Sequence, residues 1–90
     1  MTSHAIVGIV LLTHVMITLY STPTCPYCHL AREYFSKHNI VFTDNDVAHD
    51  EKKREEMIEK SGQMGVPVID IDGEIIVGFN EEVLSERLVR

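Results

Sequence analysis

The sequence predicts an α/β fold, one mixed four-stranded sheet flanked by three helices in the order β-α-β-α-β-β-α. Three observations predict it. Met16-Ile17-Thr18-Leu19-Tyr20 alternates as a strand does and then, past Ser21, Thr22 and Pro23, gives way to a stretch whose apolar residues recur at helical spacing. Asp72-Gly73 between two apolar runs is the signal of a two-residue hairpin. A short apolar run and a charged helical run lie between these blocks, so a βαβ half is joined to a ββα half in a single sheet.

Taken in order, residues 1–15 read as an N-terminal extension, either an extra β-prone segment laid on the sheet or a disordered tail, with the domain itself in residues 16–90. The apolar run from Ala5 to Leu12 is far short of the roughly 20 residues that span a bilayer. As a secretory leader it lacks Lys or Arg before it and a small-x-small cleavage site after it. The first strand follows. Pro26 suits the first position of a helix whose core face is Ala31, Tyr34, Phe35 and His38, and Asn39 is placed to end it. Ile40-Val41-Phe42-Thr43 is the second strand and Asp44 to Asp50 a polar connection.

Asp50 to Ser61 reads as a helix stopped by Gly62, with Met57 and Ile58 inward and the mixed charges on a solvated face supported by pairs such as Glu56 with Lys60. Val66 to Ile71 and Glu74 to Val77 form the hairpin. Asn80 caps the last helix, with Glu81 and Glu82 in its first turn, Val83, Leu84 and Leu88 toward the core, and Arg87 and Arg90 at its far end.

Composition narrows the class. Ninety residues allow one small domain, and 44% hydrophobic with 24% charged residues is ordinary for a globule. A net charge of −6 argues against nucleic acid or an anionic membrane and leaves a protein or a small thiol as partner. The two cysteines stand as Cys25-Pro26-Tyr27-Cys28, where the strand hands over to the helix. Backbone N–H groups and the dipole at a helix N-terminus favour a thiolate, so Cys25 is the attacking thiol. Cys28, one turn further in and more buried, is spaced to resolve the mixed disulfide. Such a pair beside a βα pattern points to catalysis in a reducing compartment, the cytoplasm.

On Cys25-Pro26-Tyr27-Cys28, Gly65-Val66-Pro67 and Gly78-Phe79-Asn80, residues 16–90 resemble the glutaredoxin branch of the thioredoxin-fold superfamily, including the small redoxins that reduce ribonucleotide reductase. The resemblance implies a monomeric thiol-disulfide oxidoreductase with no bound cofactor or metal. It also implies a cis Pro67 that leaves the Val66 backbone free beside Cys25 to pair with a substrate segment, and a thiol groove walled by Pro26, Tyr27, Gly78, Phe79 and Asn80.

Protein disulfides are the expected substrates, with thioredoxin reductase or glutathione as electron donor. Glutathione-using relatives place a lysine three residues before the first cysteine, where this chain has Thr22, and a Gly-Gly, a small residue and an Asp where it has Val77-Gly78-Phe79-Asn80-Glu81. Both departures favour a flavoprotein thioredoxin reductase or another dithiol donor, with glutathione the possible co-substrate.

Two other chemistries share these residues. Cys25-Pro26-Tyr27-Cys28-His29 satisfies the C-x-x-C-H pattern of c-type haem attachment, with His29 and Met64 as conceivable axial ligands. An iron–sulfur cluster shared by two protomers occurs among glutaredoxins, usually with one cysteine in the motif. Zinc needs two further ligands, and His4, His14, His38 and His49 show no ligand-pair spacing.

Overall fold

The computed structural model describes residues 15–88. The predicted extension, save Val15, and Arg90 lie outside the described residues. Seven elements follow in the predicted order: β1 (Ile17–Ser21), α1 (Pro26–Lys37), β2 (Thr43–Asp46), α2 (Glu51–Ser61), β3 (Val68–Ile71), β4 (Glu74–Val77) and α3 (Glu81–Leu88). The sheet runs β2-β1-β3-β4, with β1 and β2 parallel and the other two pairings antiparallel.

Strand alternation divides the core between the two faces. Ile17, Leu19, Ile69 and Ile71 point to one side, where they pack with Ala31, Tyr34 and Phe35 of α1 and Leu84 of α3. Tyr20 and Val68 point to the other, against Val47 and Met57 of α2. Ile76 and Ile75, neighbours on β4, serve one face each. Burying a side chain such as Leu19 or Phe35, both 0% exposed, contributes about 1.5–3 kcal/mol.

Local chemistry sets the element ends. At the end of α1 the Asn39 N–H bonds the Ser36 carbonyl at 3.2 Å and the Ile40 N–H bonds Phe35 at 2.8 Å, a Schellman closure with Asn39 at φ 56°. Asp50 caps α2 by accepting from the Lys53 N–H at 3.1 Å, and Gly62 ends it at φ 74°. The hairpin turns on Asp72 and Gly73 at φ 53° and 97°, both in the region a type I′ turn requires. The Asn80 Oδ1 accepts from the Val83 N–H at 3.2 Å and caps α3.

Three boundaries differ from the sequence reading. The first strand lies one residue later, at Ile17–Ser21, and β3 starts at Val68, leaving the cis Val66–Pro67 pair ahead of the ladder. The largest difference is β2, which is Thr43–Asp46 and not Ile40–Thr43, so the expected polar connection gives up Asp44, Asn45 and Asp46 to the strand. Ile40 and Phe42 pack against the lower edge of the core, with Phe42 4.9 Å from the Phe35 ring, and Val41 is 87% exposed. Ladder bonds come from the backbone whatever the side chain, and an edge strand tolerates polar residues. Thr43-Asp44-Asn45-Asp46 therefore pairs with Thr18 to Ser21.

The charged face of α2 is also more than solvated surface. Glu56 and Lys60 form the expected pair at 3.7 Å, but both turn back onto the sheet. The Tyr20 hydroxyl donates to Glu56, and Lys60 Nζ reaches the Tyr20 oxygen at 2.9 Å and Asp70 Oδ2 at 2.8 Å.

Candidate active site

The end of β1 and the start of α1 bring the two thiols together. Cys25 is the N-cap of α1, with φ −83° and ψ 118°, and Pro26 opens the first turn, where its missing N–H leaves no donor unsatisfied. The Cys28 N–H donates to Cys25 Sγ at 3.3 Å, the place an N-cap oxygen ordinarily takes. The Cys25 thiol is half-buried and directed at the Val66 carbonyl, 3.9 Å away, while Cys28 is 0% exposed. Burial first, and then the facing Cys25 thiol, push the Cys28 thiol up to about 12; the Thr22 backbone and the Arg32 charge act in the opposite direction. One sulfur is thus half-exposed with a helix N–H 3.3 Å from it, and the other lies buried one turn below.

The groove residues divide. Tyr27 stands 61% exposed beside the thiols, and Val66 and the buried Pro67 lie across from Cys25, the bond between them cis. Gly78, at φ 87°, donates its N–H to the Pro67 carbonyl at 2.8 Å and so joins the following turn to the same segment. Phe79 is packed inward on Tyr34, ring centroids 6.1 Å apart, and Asn80 uses its carbonyl oxygen as the α3 cap. Glu81 and Glu82 are exposed in the first turn of α3.

Sequence reasoning missed a polar cluster behind the thiols. Arg32 Nε donates to Asp44 Oδ2 at 2.6 Å, its Nη2 donates to Ser21 Oγ at 2.7 Å, and the buried Ser21 donates to Asp44 Oδ1 at 2.6 Å. His29 lies within 2.9 Å of the Pro23 carbonyl through Nε2 and 3.3 Å of Arg32 through Nδ1. The available signal was the position of Arg32 four residues after Cys28, one turn along the same helix face. Its partner Asp44 carries no such signal, because the sequence reads it as the start of a polar connection. Among the described residues no group of three or more His, Cys, Asp or Glu could hold a metal ion, and no helix is long and apolar enough to cross a membrane.

The glutaredoxin family model matches residues 17–76. An uncharacterised glutaredoxin-like 8.6 kDa protein in the rubredoxin operon of Clostridium pasteurianum is 61% identical over 73 residues, covering 81% of this chain and 97% of its own. Glutaredoxin 3 of Escherichia coli K12 is 38% identical over 65 residues, covering 72% and 78% respectively. Among solved structures, a glutaredoxin from Archaeoglobus fulgidus superposes with a TM-score of 0.75 at 27% identity, over 86% of this chain and 88% of its own.

Proposed function

This chain belongs to the glutaredoxin family, with its thioredoxin-like fold and its thiol-disulfide oxidoreductase chemistry, and from that premise we propose that it is a dithiol reductant of protein disulfides recharged by a dithiol donor. The observation that carries the reading is the inequality of the two thiols, Cys25 accessible with the Cys28 N–H 3.3 Å from its sulfur and Cys28 buried.

Cys25 Sγ attacks one sulfur of the substrate disulfide, forming a mixed disulfide and expelling the other sulfur as a thiolate that takes a proton. A substrate segment passing Val66 pairs with that backbone and sets the attacked sulfur in line. Cys28 then loses its proton and attacks Cys25 Sγ. The substrate's second thiol leaves, and the protein ends as the Cys25–Cys28 disulfide with two electrons transferred. Pro26, Tyr27, Pro67, Gly78, Phe79 and Asn80 shape the approach, the last two through the core and the α3 cap.

The donor reading rests on charge. Glutathione carries two carboxylates, and a site for it offers cations. Here Thr22 stands in place of a lysine, Glu81 and Glu82 are exposed in the α3 turn, and the net charge of −6 gives no long-range attraction to an anion. A flavoprotein thioredoxin reductase, or another dithiol donor, therefore recharges the protein in preference to glutathione. The protein works as a monomer in a reducing compartment, the cytoplasm. The c-type haem reading gains no support from the relatives, and the His29 ring is engaged by Pro23 and Arg32.

The test is NADPH oxidation coupled to reduction of a protein disulfide, with thioredoxin reductase in one arm and glutathione with its reductase in the other. Faster turnover in the thioredoxin reductase arm is expected. Efficient turnover only with glutathione refutes the donor assignment.

A further inference from the structure

Beside the thiols, α1 and the start of α3 leave a cleft of about 170 Å³, lined by Leu30, Glu33, Tyr34 and Lys37 on one wall and by Phe79 and Glu81 on the other. Both walls lead back to Cys25. Leu30 lies three residues past Tyr27 on one helix face, both exposed, and Phe79 follows the Gly78 whose N–H bonds the Pro67 carbonyl at 2.8 Å. In residues 21–31, 62–68 and 77–84, the segments around the thiols, the only Asp, Glu, Lys or Arg are Glu81 and Glu82. Glu33 and Glu81 have no ion pair among the described residues, whereas Arg32, Lys53, Arg54, Lys60 and Arg87 are each engaged by a carboxylate. Lys37 stands at the far end of the cleft, one turn beyond Glu33. Tyr34 carries the one buried side-chain oxygen or nitrogen among the described residues that has no hydrogen-bond partner. An apolar wall, two unpaired carboxylates and an unpartnered hydroxyl together suit a long side chain that ends in a cation, its methylenes on Leu30 and Phe79 and its charge at Glu33 and Glu81.

We propose that this cleft is a specificity site that takes a lysine or arginine side chain of the substrate protein, two residues from the cysteine that Cys25 attacks. This rests on the reading of Cys25 as the nucleophile toward protein disulfides. Leu30 is five residues along α1 from Cys25, about 7.5 Å of helix axis, and in an extended segment side chains two residues apart share a face at a spacing of about 6.6 Å. A substrate strand paired at Val66, with its cysteine over Cys25, therefore carries its next same-face side chain to the cleft. An acidic side chain in that place meets Glu33 and Glu81 and is disfavoured.

The experiment uses the full reduced chain and a series of peptide disulfides with Lys, Gln or Glu two residues before or after one cysteine, and reads the second-order rate of reduction. At low salt the lysine peptide, at one of the two positions, is reduced about three- to tenfold faster than its glutamine counterpart, and the glutamate peptide more slowly than both. The advantage shrinks at about 1 M salt, where charges are screened beyond about 3 Å. Glu33→Gln with Glu81→Gln brings the lysine and glutamine rates within about twofold of each other. Glu55→Gln with Glu59→Gln removes the same charge from exposed positions on α2, across the sheet, and leaves the preference at the parent value. No preference for lysine in the parent, a preference that survives the loss of Glu33 and Glu81, or one lost equally in the α2 variant overturns the proposal. So does a Glu33 and Glu81 variant that keeps the peptide preference and instead raises the KM for thioredoxin reductase, which assigns the cleft to the electron donor. Should that variant not fold, Glu33→Gln alone carries the test, and an undiminished preference in it overturns the proposal. A parent protein that reduces none of the peptides, or a Cys25→Ser chain that still reduces them, refutes the reading of Cys25 itself, a result distinct from all of these.

Discussion

The Cys28 N–H donates to Cys25 Sγ across 3.3 Å, yet the side chain of Cys28 is wholly buried beneath the sulfur its backbone supports. One residue therefore bonds the Cys25 sulfur with its main chain and lies behind it with its side chain.

That relationship sets the outcome of cysteine substitution. Cys25→Ser removes all turnover, whereas Cys28→Ser accumulates a mixed disulfide at Cys25. A thiol raised to about 12 is ionised only about one part in 10⁵ at pH 7, so alkylation of the reduced protein modifies Cys25 first. Peptide mass spectrometry after brief labelling is the check; earlier labelling of Cys28 reverses the roles.

Tyr34 offers a stability prediction. Its ring is packed among Phe35, His38 and Phe79 at 5% exposure, and its hydroxyl is buried with no hydrogen-bond partner among the described residues. Leaving a buried hydroxyl unpaired costs about 1–3 kcal/mol, so Tyr34→Phe stabilises the protein by about 1 kcal/mol. Urea unfolding decides it, and a loss of stability of that size would show that the hydroxyl is in fact bonded.

The cluster of Tyr20, Glu56, Lys60 and Asp70 predicts an acid limb. Burial pushes the Asp70 carboxyl up, but Lys60 and the Gly73 N–H outweigh it and hold the group below its ordinary value near 3.8. Glu56 is held below 4.5, chiefly by the Tyr20 hydroxyl. Both folded values are depressed, so their contribution is complete above the unfolded values and is lost as pH falls through the folded ones. Lys60→Met removes the main support of Asp70. The variant is less stable than the parent at pH 7 by about 1 kcal/mol, and the two converge toward pH 2. A gap that persists undiminished at pH 2 in urea titrations contradicts this account.

Much of the site was legible in the chain because its signals are local. Pro26 after Cys25, Asp72-Gly73, and Asn80 before two glutamates each act within one turn of backbone, and each does in the structure what its chemistry predicts. The second strand was misplaced for the opposite reason. Ile40 and Phe42 have strand-like side chains, but they plug the lower edge of the core, while Thr43 to Asp46 are called into the ladder only by the neighbouring β1 backbone.

By itself the sequence determined the element order, the caps and turns, and the spacing of Cys25 and Cys28 across one helical turn, since all of these follow from residue type and spacing along a few bonds. Tertiary structure alone decided the register of β2, the meeting of Tyr20 with Glu56, Lys60 and Asp70, and the bonding of Arg32 to Asp44 and Ser21. In each, the partners come from different elements, and a polar side chain has no periodicity that names a distant partner. Only the closing of the sheet and the packing of α1 and α2 on its two faces bring those groups within hydrogen-bond reach.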